Sequence, residues 1–360
     1  MVAQRYHFSR STANNSIIIT FFFDVILTLI LLILYFSKAF KFSLVLKLFS
    51  GNRTIVLLLL PVFLFFYHFL NYTNEFYANN VLNFGFWNDF FHSSYNGLNF
   101  LSALLILMNG IVLNKLFNRS NFFDRITYLI APFYLVLMTF FEVGFTFCGM
   151  LVAHTFLIFM LQQLFELNQN DDSKSTIFNV MFLAGVAATF LPSLIFVMPL
   201  FLIMIRCIRP LRFRDILVGL IAGVLPFVYL YAAFYILGYS DLPTVFRYTV
   251  NALNGDWLVV LGVLTVAAIL GFVTFMSQWQ KSAIRTKRQF QMLLVFFFSF
   301  LIFAFIHLLS FQQIDFFSLL LLPISILLPF AFRSESMGMA TNGAFYMLIV
   351  FSVMKFFIFA

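Results

Sequence analysis

The stretch "RCIRPLRFRD" occupies residues 206–215 and decides the fold class of the chain. It carries four arginines: Arg206, Arg209, Arg212 and Arg214. An apolar stretch precedes it, "FLPSLIFVMPLFLIMI" (190–205), and another follows it, "ILVGLIAGVLPFVYLYAAFYIL" (216–237). Lys and Arg accumulate in the short loops of membrane proteins that are not translocated. The stretch therefore predicts a turn between two apolar helices at a membrane surface.

The composition of the whole chain agrees with this prediction. The 360 residues are 63% hydrophobic and 9% charged, and 57 of them are phenylalanine. A soluble globular domain is about 45–50% apolar and about 25% charged. So few charges cannot cover a water-facing surface, and this excludes a soluble domain. The net charge of +8 lies in short loops rather than in a basic domain. We therefore expect membrane lipids as partners, anionic or polyprenyl-phosphate lipids among them, and no nucleic acid.

The apolar runs predict an all-α, polytopic integral membrane protein. A helix of about 20 apolar residues crosses the hydrocarbon layer, and it satisfies its own backbone hydrogen bonds there. The runs show no apolar–polar alternation, which argues against a β-barrel. We predict about 12 transmembrane helices, within a range of about 10 to 13. The predicted crossings are residues 16–37, 54–72, 98–116, 126–142, 147–165, 176–191, 193–208, 215–237, 257–276, 290–309, 316–332 and 342–359.

This topology predicts a first helix in residues 1–40, followed by a single transmembrane domain in 41–360. Most of the 21 basic residues then fall in loops on one face, which we expect to be cytoplasmic. The two sizeable loops on the opposite face are residues 71–99 and 238–257. The aromatic and asparagine-rich loop 71–99 is expected to lie along the outer surface, because aromatic rings with polar tips favour the membrane interface.

Several stretches, in order, resemble one protein family. They are "KLFSGNRTIVLLLLPVFLFF" (47–66), "LNKLFNRSNFFDRITYLIAPFYLVLM" (113–138), the segment 190–230 around the four arginines, "IRTKRQFQMLL" (284–294) and "IDFFSLLLLPISILL" (314–328). They resemble the domain of unknown function 6427 family of the Bacteroidetes over about residues 46–332. The resemblance implies a helical protein of the bacterial inner membrane, with residues 1–40 preceding the family core. It implies no reaction.

Ionisable side chains inside membrane helices are costly and are therefore functional candidates. They are Asp24, Glu142, His154 and His307, with His68 and Asp315 near the outer interface. Each also has a structural interpretation: Glu142 and His307 at the outer interface, His154 as a neutral residue bonded to a neighbouring helix, and Asp24 in helix docking. Lys355 is expected to extend its ammonium group to the membrane surface.

The loop 71–99 carries the predicted catalytic residues, Glu75 and Asp89. Membrane glycosyltransferases that use polyprenyl-phosphate sugars place an acidic residue in such a loop, where it acts as a general base or metal ligand. The four arginines of residues 206–215 are interpreted first as contacts to lipid head groups and second as a phosphate site. The five histidines and two cysteines show no metal spacing, so no metal and no cofactor is predicted.

Three functions remain open from the sequence. The first is the handling of lipid-linked glycan or polyprenyl-phosphate substrates in envelope biogenesis, as a transferase or its accessory. The second is a non-enzymatic subunit or scaffold of an envelope or secretion complex, with a membrane protein partner. The third is a transporter. The sequence leaves open whether the protein is an enzyme.

Overall fold

The computed structural model describes residues 54–74, 84–88, 99–120, 122, 126–167, 173–238, 257–312, 314–333 and 338–358. Within these ranges the chain forms α-helices and short 3-10 helices and has no strand, which confirms the all-α prediction there. The helix predicted in residues 1–40, and Asp24 with it, lies outside the described residues.

The described ranges contain eleven α-helices and five 3-10 helices. The α-helices are α1 Leu59–Asn74, α2 Asn99–Arg119, α3 Ile130–Met138, α4 Gly149–Leu167, α5 Ser173–Phe190, α6 Met198–Ile208, α7 Phe213–Ile236, α8 Trp257–Lys281, α9 Ile284–Phe311, α10 Leu321–Arg333 and α11 Gly338–Ile358. The 3-10 helices are η1 Thr54–Leu58, η2 Gly85–Trp87, η3 Glu142–Gly144, η4 Pro192–Phe196 and η5 Asp315–Leu320.

Seven helical segments in the described residues are long and apolar enough to cross a membrane. They are Val56–Thr73, Phe100–Arg119, Gly149–Leu167, Phe213–Ile236, Trp257–Gln280, Ile284–Phe311 and Asp315–Phe332. The predicted count of about twelve is not confirmed. Two predicted crossings show why: 126–142 contains only the nine residues of α3, about 14 Å of helix, and 193–208 is divided between η4 and α6.

Large apolar side chains cover the outside of the bundle, which indicates a membrane protein. Phe65 on α1 is 73% exposed, Ile221 on α7 is 64% exposed and Ile302 on α9 is 62% exposed. A soluble protein rarely exposes a large continuous apolar surface. Lipid acyl chains accept such a surface without cost, so these faces are the ones that contact lipid.

The centre of the bundle is formed by α3 and α10. Every residue of α3 is buried, and almost all of η5 and α10 is enclosed. The main neighbours of α10 are α8 and α3, while α5 packs between α4 and α7. The short helices α3 and α10 therefore lie inside the bundle.

A cluster of phenylalanine rings joins four helices near one end of the bundle. Phe122 stacks on Phe290 with ring centroids 5.2 Å apart, and it also contacts Phe117, Phe165 and Phe330 at 5.1, 5.6 and 6.1 Å. These rings belong to the last residues of α2, α4 and α10 and to the first residues of α9. The four helix ends therefore lie together.

Two polar contacts join further helices at this end of the bundle. The Arg119 guanidinium at the end of α2 lies 2.8 Å from the Glu166 carboxylate at the end of α4. The Arg288 Nη1 on α9 donates a hydrogen bond of 3.2 Å to the carbonyl oxygen of Ile208, the last residue of α6. We call this region, from the ends of α2, α4, α6 and α10 to the starts of α7 and α9, the arginine end.

The contact between α5 and α7 brings the two backbones together. A Cβ on Gly185 would lie 2.5 Å from the carbonyl oxygen of Gly223 and 3.0 Å from Pro226 Cγ. Gly219 and Gly223 form a small-x-x-x-small pattern on α7, which is the usual way for membrane helices to approach closely. Packing between α5 and α7 therefore depends on glycine at position 185.

We predict that Gly185→Ala destabilises the protein by about 1–3 kcal/mol, because the added methyl group forces the two backbones apart. Gly262→Ala on α8 is the matched control, since nothing lies within 4 Å of its added Cβ. The control should be neutral or slightly stabilising, because alanine is the better helix former. Thermal unfolding of the detergent-purified variants measures both, and equal melting temperatures for the two would contradict this account of the contact.

Candidate functional site

The opposite end of the bundle carries two carboxylates. Glu142 begins η3, after α3, and Asp315 begins η5, before α10. The two 3-10 helices are in contact, and both acidic residues are half-buried. We call this region, with η3, η5, the start of α4 and the ends of α1, α5, α9 and α11, the carboxylate end. The predicted fourth crossing was expected to close at Glu142, but α3 already ends at Met138.

The Cys148 thiol lies between these carboxylates and the start of α4. Burial raises the pKa of the Cys148 thiol to about 12, and the negative charges of Asp315 and Glu142 add to the rise. Both carboxylates therefore lie within electrostatic reach of one sulfur atom. The high pKa keeps Cys148 protonated at neutral pH, which argues against a role as a thiolate nucleophile.

The described part of the loop 71–99 packs on the carboxylate end. The Phe84 ring lies 5.3 Å from the ring of Phe147, which directly precedes Cys148. The Trp87 ring stacks on Phe190 at the end of α5, and its Nε1–H donates to Thr189 Oγ1 over 3.1 Å. This part of the loop therefore packs against the bundle. Glu75 and Asp89, the predicted catalytic residues, lie outside the described residues.

Gly85 permits this docking. Its φ of +63° lies in the left-handed region, which glycine adopts at little cost. A Cβ there would also lie 2.7 Å from the carbonyl oxygen of Phe190. The backbone of η2 can therefore approach the end of α5 only with glycine at this position.

Below the carboxylates, His154 on α4 forms the centre of a buried hydrogen-bonded chain. Its Nδ1 lies 3.2 Å from the Tyr134 hydroxyl on α3, and its Nε2 lies 3.1 Å from Ser318 Oγ on η5. The Ser318 hydroxyl lies 3.5 Å from Met150 Sδ. His154 is fully buried, with 0% exposure. The chain joins α3, α4 and η5 in the interior of the bundle.

The roles of the two imidazole nitrogens depend on the tautomer of His154. Where the Ser318 hydroxyl donates to the Met150 thioether, which can only accept, Nε2–H donates to Ser318 Oγ and Nδ1 accepts from the Tyr134 hydroxyl.

His154 also holds the two carboxylate-bearing turns in place. Tyr134 lies on α3, which leads into η3 and Glu142. Ser318 lies one turn after Asp315 within η5. A single side chain therefore links the supports of both acidic residues, which makes His154 a positioning residue.

Lys355 lies in the interior, and the prediction that it reaches the membrane surface is wrong. It is 2% exposed, and its Nζ donates to the carbonyl oxygen of Thr139, directly after α3. The rings of Phe356, Phe145 and Phe140 surround the ammonium group at 4.8, 5.4 and 5.6 Å. Because α3 ends inside the protein, its last carbonyl groups need an internal donor, and a cation also suits the negative end of a helix.

His307 lies at the same end but takes part in an aromatic cluster. It is 5% exposed, and its ring stacks on Phe316 with centroids 3.8 Å apart. Phe303 and Phe311 lie on other sides of the ring, at 4.6 and 5.3 Å. Phe316 directly follows Asp315, so His307 packs beside the turn that carries this carboxylate.

The structure thus sorts the predicted site residues into two groups. Glu142, His154 and His307 lie at or below the carboxylate end, while the arginines of residues 206–215 lie at the other end of the bundle. Asp315, which the sequence placed beyond His307 at the outer interface, completes the acidic pair. In the sequence, Asp315 is marked by its position directly before the apolar run "FFSLLLLP". Among the described residues, no group of three or more His, Cys, Asp or Glu side chains could hold a metal ion.

Comparison with known proteins gives one match. Residues 81–360 match the family described as "Family of unknown function (DUF6427)". Four of the five stretches on which the resemblance was based lie in this range, and residues 47–66 precede it. No curated protein and no solved structure matches the chain.

The first prediction from this geometry uses Cys148 to report the charge of the acidic pair. Glu142→Gln and Asp315→Asn should each lower the pKa of the thiol, because each removes a negative charge that disfavours the thiolate. At pH 9, below the pKa, alkylation by a maleimide should accelerate about threefold to tenfold, as expected for a shift of about half to one pKa unit.

The measurement needs a Cys207→Ala background, so that Cys148 is the single thiol. Glu166→Gln is the matched control, because it removes a carboxylate at the arginine end. An alkylation rate that stays at the wild-type value in both Glu142→Gln and Asp315→Asn would show that the carboxylates do not act on the thiol.

The second prediction tests the His154 chain. His154→Leu removes the imidazole partner of the buried Tyr134 and Ser318 hydroxyls, which costs about 1–3 kcal/mol in all because Ser318 keeps its contact with Met150 Sδ. Adding Tyr134→Phe and Ser318→Ala to His154→Leu removes both orphaned hydroxyls and should recover much of the lost stability. Thermal unfolding in detergent measures the stability of both variants. A triple variant less stable than His154→Leu alone would mean that the hydroxyls are satisfied elsewhere.

Proposed function

The chain belongs to the DUF6427 family of unknown function, and from this premise we propose that it acts on glycans carried by polyprenyl phosphate, as a membrane-embedded transferase or its accessory. The proposal places it in the biogenesis of the bacterial envelope, in the inner membrane. The arginine end then faces the cytoplasm and the carboxylate end faces the opposite side, as the bias of Lys and Arg favours.

The observation that carries the proposal is the pair Glu142 and Asp315. Two half-buried carboxylates lie at the same end of the bundle, on turns that contact each other, and half-burial leaves them reachable from outside. Their supporting turns are held by His154 from below. A carboxylate that is held in position can act as a general base, which takes a proton from the reacting group.

In the reaction, a hydroxyl group of the acceptor attacks C1 of the sugar that is linked to polyprenyl phosphate. The new bond joins the acceptor oxygen to C1, while the bond between C1 and the phosphate oxygen breaks. Polyprenyl phosphate leaves with the electron pair of the broken bond. Glu142 or Asp315 takes the proton of the acceptor hydroxyl, and the second carboxylate, through its negative charge, strengthens the first as a base.

The surroundings of the pair suit such a substrate. Phe86 and Trp87 are half-buried on the same end, and the Phe86 ring contacts Phe227 on α7 at 5.7 Å. The outer face of α7 exposes large apolar side chains, including Val224 and Val228. The prenyl chain lies along this face, and the sugar reaches the carboxylates past the docked aromatic segment.

We expect native mass spectrometry of the protein, gently extracted from its own membrane, to find a polyprenyl phosphate or a polyprenyl-linked sugar bound in stoichiometric amount. Glu142→Gln and Asp315→Asn should raise the occupancy by the sugar-linked form, because substrate binds but is not converted. Glu75→Gln and Asp89→Asn test the loop in the same way. Glu166→Gln, at the opposite end, should match the wild type.

The other outcomes identify the rival functions. A fixed protein partner together with bulk phospholipid alone would make the chain a subunit of an envelope or secretion complex and end the search for a base. If replacing His154 or His307 abolishes the transport of a solute, and if no polyprenyl lipid is bound, the protein is a transporter.

A further inference from the structure

We propose that the arginine end holds a binding site for the phosphate group of an anionic phospholipid, formed where α6, α7 and α9 meet. The site is separate from the carboxylate end and does not depend on the function proposed above. It specifies the head-group contacts expected of Arg206, Arg209, Arg212 and Arg214 and adds a second basic segment to them.

The tertiary structure merges two basic segments that are far apart in the sequence. The hydrogen bond from Arg288 to the carbonyl oxygen of Ile208 ties the start of α9 to the end of α6. Arg209 directly follows Ile208, and Arg285 lies one turn before Arg288. Arginines of both segments therefore lie close in the chain to one junction, and guanidinium is the side chain best suited to bidentate contact with phosphate.

Among the described residues, the acidic groups at this end are Glu166 and Asp215, and both already have a partner. Glu166 pairs with Arg119. Asp215 is 2% exposed and accepts the backbone N–H of Arg212 at the start of α7. Arg206, Arg212 and Arg214 are exposed, so their charge is available to an anion.

Backbone and amide donors add to the guanidinium groups. The N-cap of α9 is Ala283, which has no side-chain oxygen for the free N–H groups of the first turn. The positive end of this 28-residue helix therefore points to the junction. Gln289, next to Arg288, is 1% exposed, and its Nε2 has no hydrogen-bond partner within the described residues. A buried amide without a partner is costly, and a phosphate oxygen is a suitable acceptor.

Exposed apolar side chains next to the arginines identify the source of the phosphate as a lipid. Phe213, between Arg212 and Arg214, is 76% exposed, and Ile284, before Arg285, is 74% exposed. A phospholipid presents its phosphate at the same level as the tops of its acyl chains, so it engages both kinds of side chain. A free phosphate ion would use the arginines alone.

The test is a lipid titration of the purified full chain, followed by native mass spectrometry. Phosphatidylglycerol should bind more tightly than phosphatidylcholine. Arg206→Gln with Arg209→Gln should weaken phosphatidylglycerol binding about 25-fold, about fivefold for each charge removed. Arg285→Gln with Arg288→Gln should weaken it at least as much. The first pair leaves the Arg288 hydrogen bond intact, so it tests the site even if the second pair fails to fold.

Arg119→Gln is the matched control, since it removes an arginine at the same end whose charge Glu166 already offsets. Its affinity for phosphatidylglycerol should stay within about twofold of the wild type. Equal losses in Arg119→Gln and in Arg206→Gln with Arg209→Gln would overturn the site in favour of a diffuse charge effect. Displacement of phosphatidylglycerol by millimolar inorganic phosphate would overturn its assignment to a lipid.

Discussion

The lack of hydrogen-bond partners in a lipid bilayer is the constraint on which the rest of this structure depends. Helices that cross the bilayer satisfy their own backbone, but α3 ends inside the protein and leaves carbonyl groups that need donors. Lys355 provides one from α11, and the Thr139 hydroxyl donates back to the carbonyl oxygen of Val136. A buried lysine, which would be anomalous in isolation, is therefore the cap of a short central helix, and the surrounding phenylalanine rings exclude water from it.

The same constraint explains why so few polar side chains determine the arrangement of the interior. In an apolar interior every polar group must find a specific partner, and His154 meets this demand by joining α3 to η5. The close glycine contact of α5 with α7 and the enclosed α10 surround it with close packing. The turns that bear the half-buried acidic groups are joined through His154 and its partners on α3 and η5.

The two ends of the bundle differ in charge and therefore in the chemistry they suit. The arginine end offers guanidinium groups, a helix N-terminus and exposed apolar side chains, on which the proposed lipid site rests. The carboxylate end offers two half-buried acids and a docked aromatic segment, on which the proposed reaction rests.

The sequence by itself determined the all-α membrane class, the positions of most helices and the basic turn at 206–215, because apolar length and the placement of charge depend only on local composition. It also singled out Glu142, His154 and His307, since an ionisable residue in an apolar run is conspicuous. Only the tertiary structure decided that Asp315 accompanies Glu142, that Lys355 turns inward and that Arg288 reaches Ile208. Each of these three contacts joins residues that are far apart in the chain. Such contacts follow from how the helices pack, which the local sequence pattern does not determine.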